Sequence, residues 1–210
     1  YSAIKKNGRA GFVMANSASD ASGSEMEIRK KLIHSNVMDV VISIGTNFFY
    51  TVTLPCTLWF FDKGKKENSR KNKVLFINAQ KIFKEIDRAH NEFSLQQIEF
   101  LSNIVRLYRK EKITNNFDGK KISLEKFSKN EYKDISGLCK VVNFKTLEEN
   151  NWSLNPGRYV GISKIKENSK DINFIDKINT INKELNILNK EAKKYEEKIF
   201  ENISKLIKNK

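Results

Sequence analysis

Gly11-Phe12-Val13-Met14-Ala15-Asn16 and Val37-Met38-Asp39-Val40-Val41-Ile42-Ser43-Ile44 are two apolar runs, β-branched in the second, that a helix-length segment separates. Short apolar runs bounded by turn residues read as strands buried on both faces. Between them, residues 17–23 are small and polar and form a loop. Ser24 then suits a helix N-cap, with Glu27 completing a capping box, and Ile28, Leu32 and Ile33 fall on one helical face. Strand, helix, strand is the signature of an α/β sheet.

Working outward, Gly45-Thr46-Asn47 is a turn that leads into Phe48-Phe49-Tyr50. Residues 51–61 form a third extended run interrupted by Pro55, which predicts a bulge or an edge because proline cannot donate to a ladder. Residues 63–73 hold six basic residues and one acidic one. Val74-Leu75-Phe76-Ile77 is a fourth strand, so the series reads as the closing portion of a mixed sheet. Residues 81–89 read as a short helix. Ser94 and Gln97 cap a better one, with Ile98, Leu101, Val105 and Tyr108 at helical spacing. Residues 111–135 are a polar connection, 137–144 a further strand, 145–152 a helical turn, and Asn155-Pro156-Gly157 a turn.

From residue 171 onward there is neither proline nor glycine. Phe174, Ile178, Ile181, Leu185, Leu188, Ala192, Tyr195 and Ile199 alternate in steps of four and three and predict a heptad seam ending at Ile203 or Leu206. Nine lysines face seven acidic residues there, so most of the formal charge of +14 lies upstream. The tail reads as a partner-docking helix and the body as the carrier of a basic surface.

The 210 residues are enough for one domain and an extension. A net charge of +14 favours an anionic partner such as nucleic acid. Lysine far outnumbers arginine, and asparagine and isoleucine are also abundant. An A/T-rich coding sequence produces the same bias without any partner. No run reaches the roughly 18 apolar residues of a membrane span, and the two cysteines form no disulfide framework. A cytoplasmic location and no membrane partner are the expectation. The chain begins at Tyr1, close to an apolar strand, which suggests a segment of something longer.

Chemical signals are sparse. His34, His90, Cys56 and Cys139 lack the spacing of a metal site, and no metal is expected. No glycine-rich nucleotide or phosphate loop is present. Asn155-Pro156-Gly157-Arg158-Tyr159 approaches the (Asn/Asp)-Pro-Pro-(Phe/Tyr) motif of amino-methyltransferases. Glycine replaces the second proline, and a structural turn is the better reading. Phe48, Phe49 and Tyr50 are either core residues or a stacking platform for a base, with the basic loop 63–73 one strand later. Lys65, Lys66, Arg70 and Lys71 of that loop are candidates for DNA-backbone contacts; a solvated lysine-rich turn is the alternative.

Several segments in order resemble the later part of the methylation (M) subunit of type I restriction–modification systems. They are Arg9-Ala10-Gly11-Phe12-Val13-Met14-Ala15-Asn16, Glu27-Ile28-Arg29-Lys30-Lys31-Leu32-Ile33, Asp39-Val40-Val41-Ile42 and Asn47-Phe48-Phe49-Tyr50 with the run through Phe60. Val74-Leu75-Phe76-Ile77-Asn78-Ala79 and Gln97-Ile98-Glu99-Phe100-Leu101 continue the likeness, which reappears at Ser153-Leu154-Asn155-Pro156-Gly157-Arg158-Tyr159. The resemblance implies an α/β fold: the C-terminal part of a Rossmann-like, S-adenosylmethionine-dependent methyltransferase sheet over residues 1–110. A connecting region over 111–170 and a helical C-terminal tail over 171–210 complete it.

The activity implied is N6-adenine methylation of double-stranded DNA with the target base flipped out of the helix. The family's cofactor and catalytic motifs are not in this chain, so no catalytic residue is expected in it, and S-adenosylmethionine would be bound mainly by residues upstream. The family's base-stacking aromatic maps onto Phe49, with Phe48 as the alternative. The implied partners are a specificity (S) subunit, a restriction (R) subunit and a second M subunit. Ile178, Ile181, Leu185, Leu188, Tyr195 and Ile199 would dock the S subunit. Two other readings stay open: a non-catalytic basic DNA-binding or assembly module, and a coiled-coil adaptor.

Overall fold

The computed structural model describes residues 1–127, 131–162 and 174–208. Two units are distinguished, residues 1–164 and residues 165–210. The first is built on a five-stranded sheet of order β1-β3-β2-β4-β7. Its strands are β1 (Arg9–Ala15), β2 (Met38–Ile44), β3 (Cys56–Asp62), β4 (Lys73–Asn78) and β7 (Cys139–Asn143). β2 and β4 are parallel, while β3 runs antiparallel to both β1 and β2, and β7 antiparallel to β4. β1, β2 and β4 therefore point the same way.

All seven residues of β2 are buried because it lies between β3 and β4 and is covered on both faces. Alternation, shifted by an irregularity between Met38 and Val40, sorts its side chains. Met38 and Val41 join Trp59, Phe61, Val74 and Phe76 on one face, with Ile33 of α1 (Ser24–His34) and Leu147 of α4 (Phe144–Glu149). Val40 and Ile42 join Leu75 and Ile77 on the other, under Phe100, Ile104 and Leu107 of α2 (Leu95–Arg109). Burying one such aliphatic side chain stabilises by about 1.5–3 kcal/mol, so the central pair of strands dominates the apolar contribution.

β1 is a strand as expected, but it is not buried on both faces. Phe12 and Val13 are 46% and 60% exposed. β1 pairs with β3 over seven residues and β2 sits in mid-sheet. Among the described residues β3 alone pairs with β1, which explains its exposure. Pro55 stands just before β3, so its missing N–H interrupts no ladder.

α1 departs in two details. Its N-cap is Gly23, at φ +67°, with no side-chain cap bond, and Ser24 is already helical. Ile28, assigned to the apolar stripe, is exposed, whereas Arg29 is buried. The Arg29 guanidinium donates to the carbonyls of Ala18 (3.0 Å), Trp152 (3.3 Å) and Ala21, and these three bonds turn that face inward. They also fasten the loop after β1.

Residues 81–89 are not a helix. β5 (Lys84–Asp87) and β6 (His90–Glu92) form a separate two-stranded hairpin. The Asp87 carboxylate accepts from the Ala89 N–H at 2.7 Å. That local side-chain turn competes with helix formation, and Phe83 and Ile86 stay exposed instead of packing a helical face into the core.

The capping box of α2 forms as expected. Ser94 Oγ accepts from the Gln97 N–H at 3.2 Å, and Gln97 Oε1 from the Ser94 N–H at 2.9 Å. Ile98 is nevertheless half exposed, and the buried stripe runs through Phe100, Leu101, Ile104, Leu107 and Tyr108. The polar connection contains α3 (Gly119–Lys126). The Glu99 carboxylate fixes its start by accepting from the N–H groups of Asn116, Phe117 and Gly119 at 2.6–2.9 Å. A Cβ on Gly119 would lie 2.7 Å from Glu99, so only glycine fits this approach. Asn143 caps α4 through the Thr146 N–H at 2.9 Å, and α5 (Gly157–Val160) places the Tyr159 ring 4.4 Å from that of Phe76.

The second unit contains α6 (Phe174–Lys208). Ile178, Ile181, Leu185, Leu188, Tyr195 and Ile199 are 48–63% exposed along it. The seam positions expected at Phe174, Ile203 and Leu206 lie outside the residues whose side chains are described. Among the described residues no helix is long and apolar enough to cross a membrane.

Candidate functional site

An apolar hollow of about 580 Å³ opens at the carboxyl ends of β1 and β2. Val13, Met14 and Ala15 form one side, and Asn16 and Ser17 continue it past the end of the strand. Phe49, Thr51, Val52, Leu54 and Pro55 of the β2–β3 loop form the other, with Cys56 at the base. Open α/β sheets bind ligands at the carboxyl ends of their parallel strands, and β1 and β2 both end here.

The three adjacent aromatics have different environments. Phe48 is half-buried, its ring 4.6 Å from that of Phe93. Phe49 is 41% exposed and stands on the wall of the hollow. Tyr50 is 90% exposed, its ring 4.8 Å from that of His90. Only Phe48 therefore fits the core reading. Exposing Phe49 beside an apolar wall leaves a flat aromatic surface able to stack on another ring.

The basic loop lies elsewhere. Cys56, at the start of β3, lines the hollow, whereas residues 63–73 follow Asp62 at its other end. A seven-residue strand is roughly 20 Å long, so loop and aromatic platform do not share one rim. Two of the four basic candidates are engaged internally. Lys65 is fully buried, and its ammonium donates to the carbonyls of Met38 and Lys73. Burial lowers its pKa to about 8, with the nearby Asp39 carboxylate opposing.

Arg70 bridges Asp39 (2.5 Å) and Asp62 (2.9 Å), and Arg109 adds a second cation on Asp39 at 2.7 Å. Burial would raise the carboxyl of Asp62, but the Arg70 guanidinium outweighs it and holds that group below its ordinary range. Lys65 and Arg70 are thus corrected from candidate phosphate ligands to members of a buried ionic network. Lys66 and Lys71 remain exposed. The signal for this network was Asp39 within an apolar strand, since a buried carboxylate requires a cation.

The Asn155 turn is wired inward. Its Oδ1 accepts from the Gly157 N–H at 3.0 Å, and its Nδ2 donates to Asp20 at 2.8 Å. Asp20 also accepts from Ser153 Oγ and pairs with Arg158 at 3.0 Å. With both arms of the Asn155 amide engaged, the structural-turn reading holds. Cys56 and Cys139 are free and buried, and burial pushes the Cys139 thiol up to about 11. The His34 ring packs 4.6 Å from that of Trp152, and His90 bonds Asp87 at 2.8 Å. Among the described residues no group of three or more His, Cys, Asp or Glu side chains could hold a metal ion.

The family model for N-6 DNA methylases matches residues 1–168. The chain belongs to the N-6 DNA methylase family. It is 35% identical over 195 residues to the type I restriction enzyme MjaIX methylase subunit of Methanocaldococcus jannaschii, covering 93% of this chain and 31% of that protein. It is 26% identical over 179 residues to the HindI methylase subunit of Haemophilus influenzae, covering 85% of this chain and 35% of that protein. The chain thus spans about a third of the length of these curated methylase subunits.

Its fold is similar to that of the type I restriction–modification methyltransferase subunit from Streptococcus thermophilus, with TM-score 0.55 and 24% identity over 73% of this chain and 26% of that one. A chain from a structure describing complex assembly and conformational transition of a type I restriction–modification system matches with TM-score 0.50 and 16% identity. That likeness covers 98% of this chain and 37% of that one.

Methylases of this family use S-adenosylmethionine, and the described residues do not fit as its cradle. The turn from β1 to α1 carries a single glycine, and the first turn of α1 bears Glu25 and Glu27, which oppose an anionic carboxylate at that helix end. Arg29 is consumed by three carbonyls.

Proposed function

We propose that this chain is the later part of the modification subunit of a type I restriction–modification complex, a site-specific DNA adenine-N6 methyltransferase. It supplies the last strands of a Rossmann-like sheet, one wall of the pocket for a flipped adenine, and a helix that docks the specificity subunit. S-adenosylmethionine provides the methyl group in the complete enzyme, held mainly by residues outside this chain. No residue here is assigned a catalytic role. Phe49 stacks on the flipped base, which positions N6 for transfer. Lys66 and Lys71 contact DNA phosphates. The site of action is the cytoplasm, where DNA, the specificity subunit, the restriction subunit and a second modification subunit meet.

The observation that supports this most strongly is the family match over residues 1–168 combined with an exposed aromatic beside an apolar hollow at the carboxyl ends of β1 and β2. The exposed edge of β1 suits a further strand from another part of the complete subunit. The test is mass spectrometry of duplex DNA incubated with the complete subunit, its specificity subunit and cofactor. N6-methyladenine at a defined sequence is expected. Unmodified DNA, or methyl groups on cytosine, would refute the assignment.

A further inference from the structure

The β5–β6 hairpin does not join the main sheet, yet it is bound tightly to one place. The Asn91 backbone N–H donates to the Asn47 carbonyl at 2.7 Å, and the Asn91 side-chain amide donates to the Thr46 carbonyl at 3.1 Å. Among the described residues these are the hydrogen bonds that residues 45–54 make to other parts of the chain. Two ring contacts flank them, Phe93 on Phe48 at 4.6 Å and His90 on Tyr50 at 4.8 Å. His90 is itself held by Asp87 at 2.8 Å. At the loop's entry, a Cβ on Gly45 would lie 2.8 Å from the Gln80 carbonyl oxygen, so the chain leaving β4 is already pressed against the loop.

Beyond these anchors the loop has little support. Residues 49–54 are exposed, and Phe49 lies between two anchored neighbours, Phe48 and Tyr50. A loop of this length without anchors samples many conformations, and fixing each residue carries an entropic cost. A ring that must meet a base face-on gains from having that cost met beforehand.

We propose that the β5–β6 hairpin is the positioning element of the aromatic loop, with Asn91 holding the backbone before Phe49 and the His90 ring packing on the Tyr50 ring after it. The inference rests on the reading of Phe49 as the base-stacking residue and adds residues that touch no substrate. Their effect passes entirely through Phe49.

The experiment is a double-mutant cycle in the complete subunit assembled with its specificity subunit. The probe is duplex DNA carrying 2-aminopurine at the target adenine, whose fluorescence rises when the base leaves the stack. Asn91→Ala and His90→Ala should each lower the flipping signal, and the methylation rate on a matching duplex that keeps adenine at the target, by roughly fivefold, the factor for one lost hydrogen bond or ring contact. Duplex affinity at fixed salt and cofactor affinity should stay unchanged. Combined with Phe49→Ala, neither should produce a further loss, because the group they position is gone. His90→Phe keeps a ring against Tyr50 and should restore the signal, and being on an exposed hairpin it remains informative if Asn91→Ala fails to fold. Hairpin variants that behave as wild type, or whose losses multiply fully with that of Phe49→Ala, would overturn the inference and leave the Phe49 reading intact. No effect of Phe49→Ala would overturn both.

Discussion

Lys65 shows how little a residue's type says about its task. Folding lowers its pKa from the ordinary 10.5 to about 8, so between those values the unfolded chain binds the proton more tightly. Stability therefore rises with pH across this window. The penalty is full below pH 8 and relieved as pH approaches 10.5. From pH 7 to 9.5 the relief is on the order of 2 kcal/mol, at 1.36 kcal/mol per pKa unit. Urea unfolding should show this gain in the wild-type chain and its absence in Lys65→Met. Equal pH dependence in both would show that Lys65 keeps an ordinary pKa.

Arg70 is the other half of the network. Arg70→Ala would leave the fully buried Asp39 carboxylate on Arg109 alone and should destabilise by about 3–5 kcal/mol, the usual cost of breaking a buried pair. Thermal unfolding checks this, and a change below about 1 kcal/mol would contradict it. Lys66 and Lys71 belong to a different experiment. Each phosphate contact contributes about 0.9 to the slope of log K against log salt. Replacing both with alanine should flatten the slope of duplex binding by roughly 1.8, while Lys65→Met should leave it unchanged. An unaltered slope in the double variant would remove both residues from the DNA contact surface.

At the scale of elements, the sequence was most legible where one force dominates. The aliphatic runs of β2 and β4 have no alternative to burial, and the Ser94–Gln97 box has one geometry. It was least legible where side chains compete with the backbone. Asp87 closes a turn and makes a hairpin of a segment that counts as helical by composition. Arg29 finds three carbonyls that exist only in the folded chain, and so displaces Ile28 from the buried face. Strand β1 read as fully buried because its composition is apolar, yet burial depends on neighbours and not on composition. The α6 stripe is exposed, and its docking role is a proposal. Removing residues 171–210 from the complete subunit should abolish capture of the specificity subunit in a pull-down. Undiminished capture would place the docking surface elsewhere.

Across the whole molecule, the candidate site was half legible. The aromatic triplet was visible in the sequence, but its division into one packed ring and two exposed ones follows from the hairpin, which was not. The basic loop was visible too, but its separation from the hollow by the length of β3 required the strand order. The family assignment is secure over most of the chain, and the account stands or falls on what Phe49 does. The most direct test is steady-state methylation by the complete enzyme with Phe49→Ala, measured beside cofactor binding. Loss of one stacked base, about 1–3 kcal/mol, predicts a fall in kcat/KM of roughly 5- to 150-fold, with cofactor affinity and Tm unchanged. Methylation at the wild-type rate, or a variant that unfolds before it loses activity, would contradict the account.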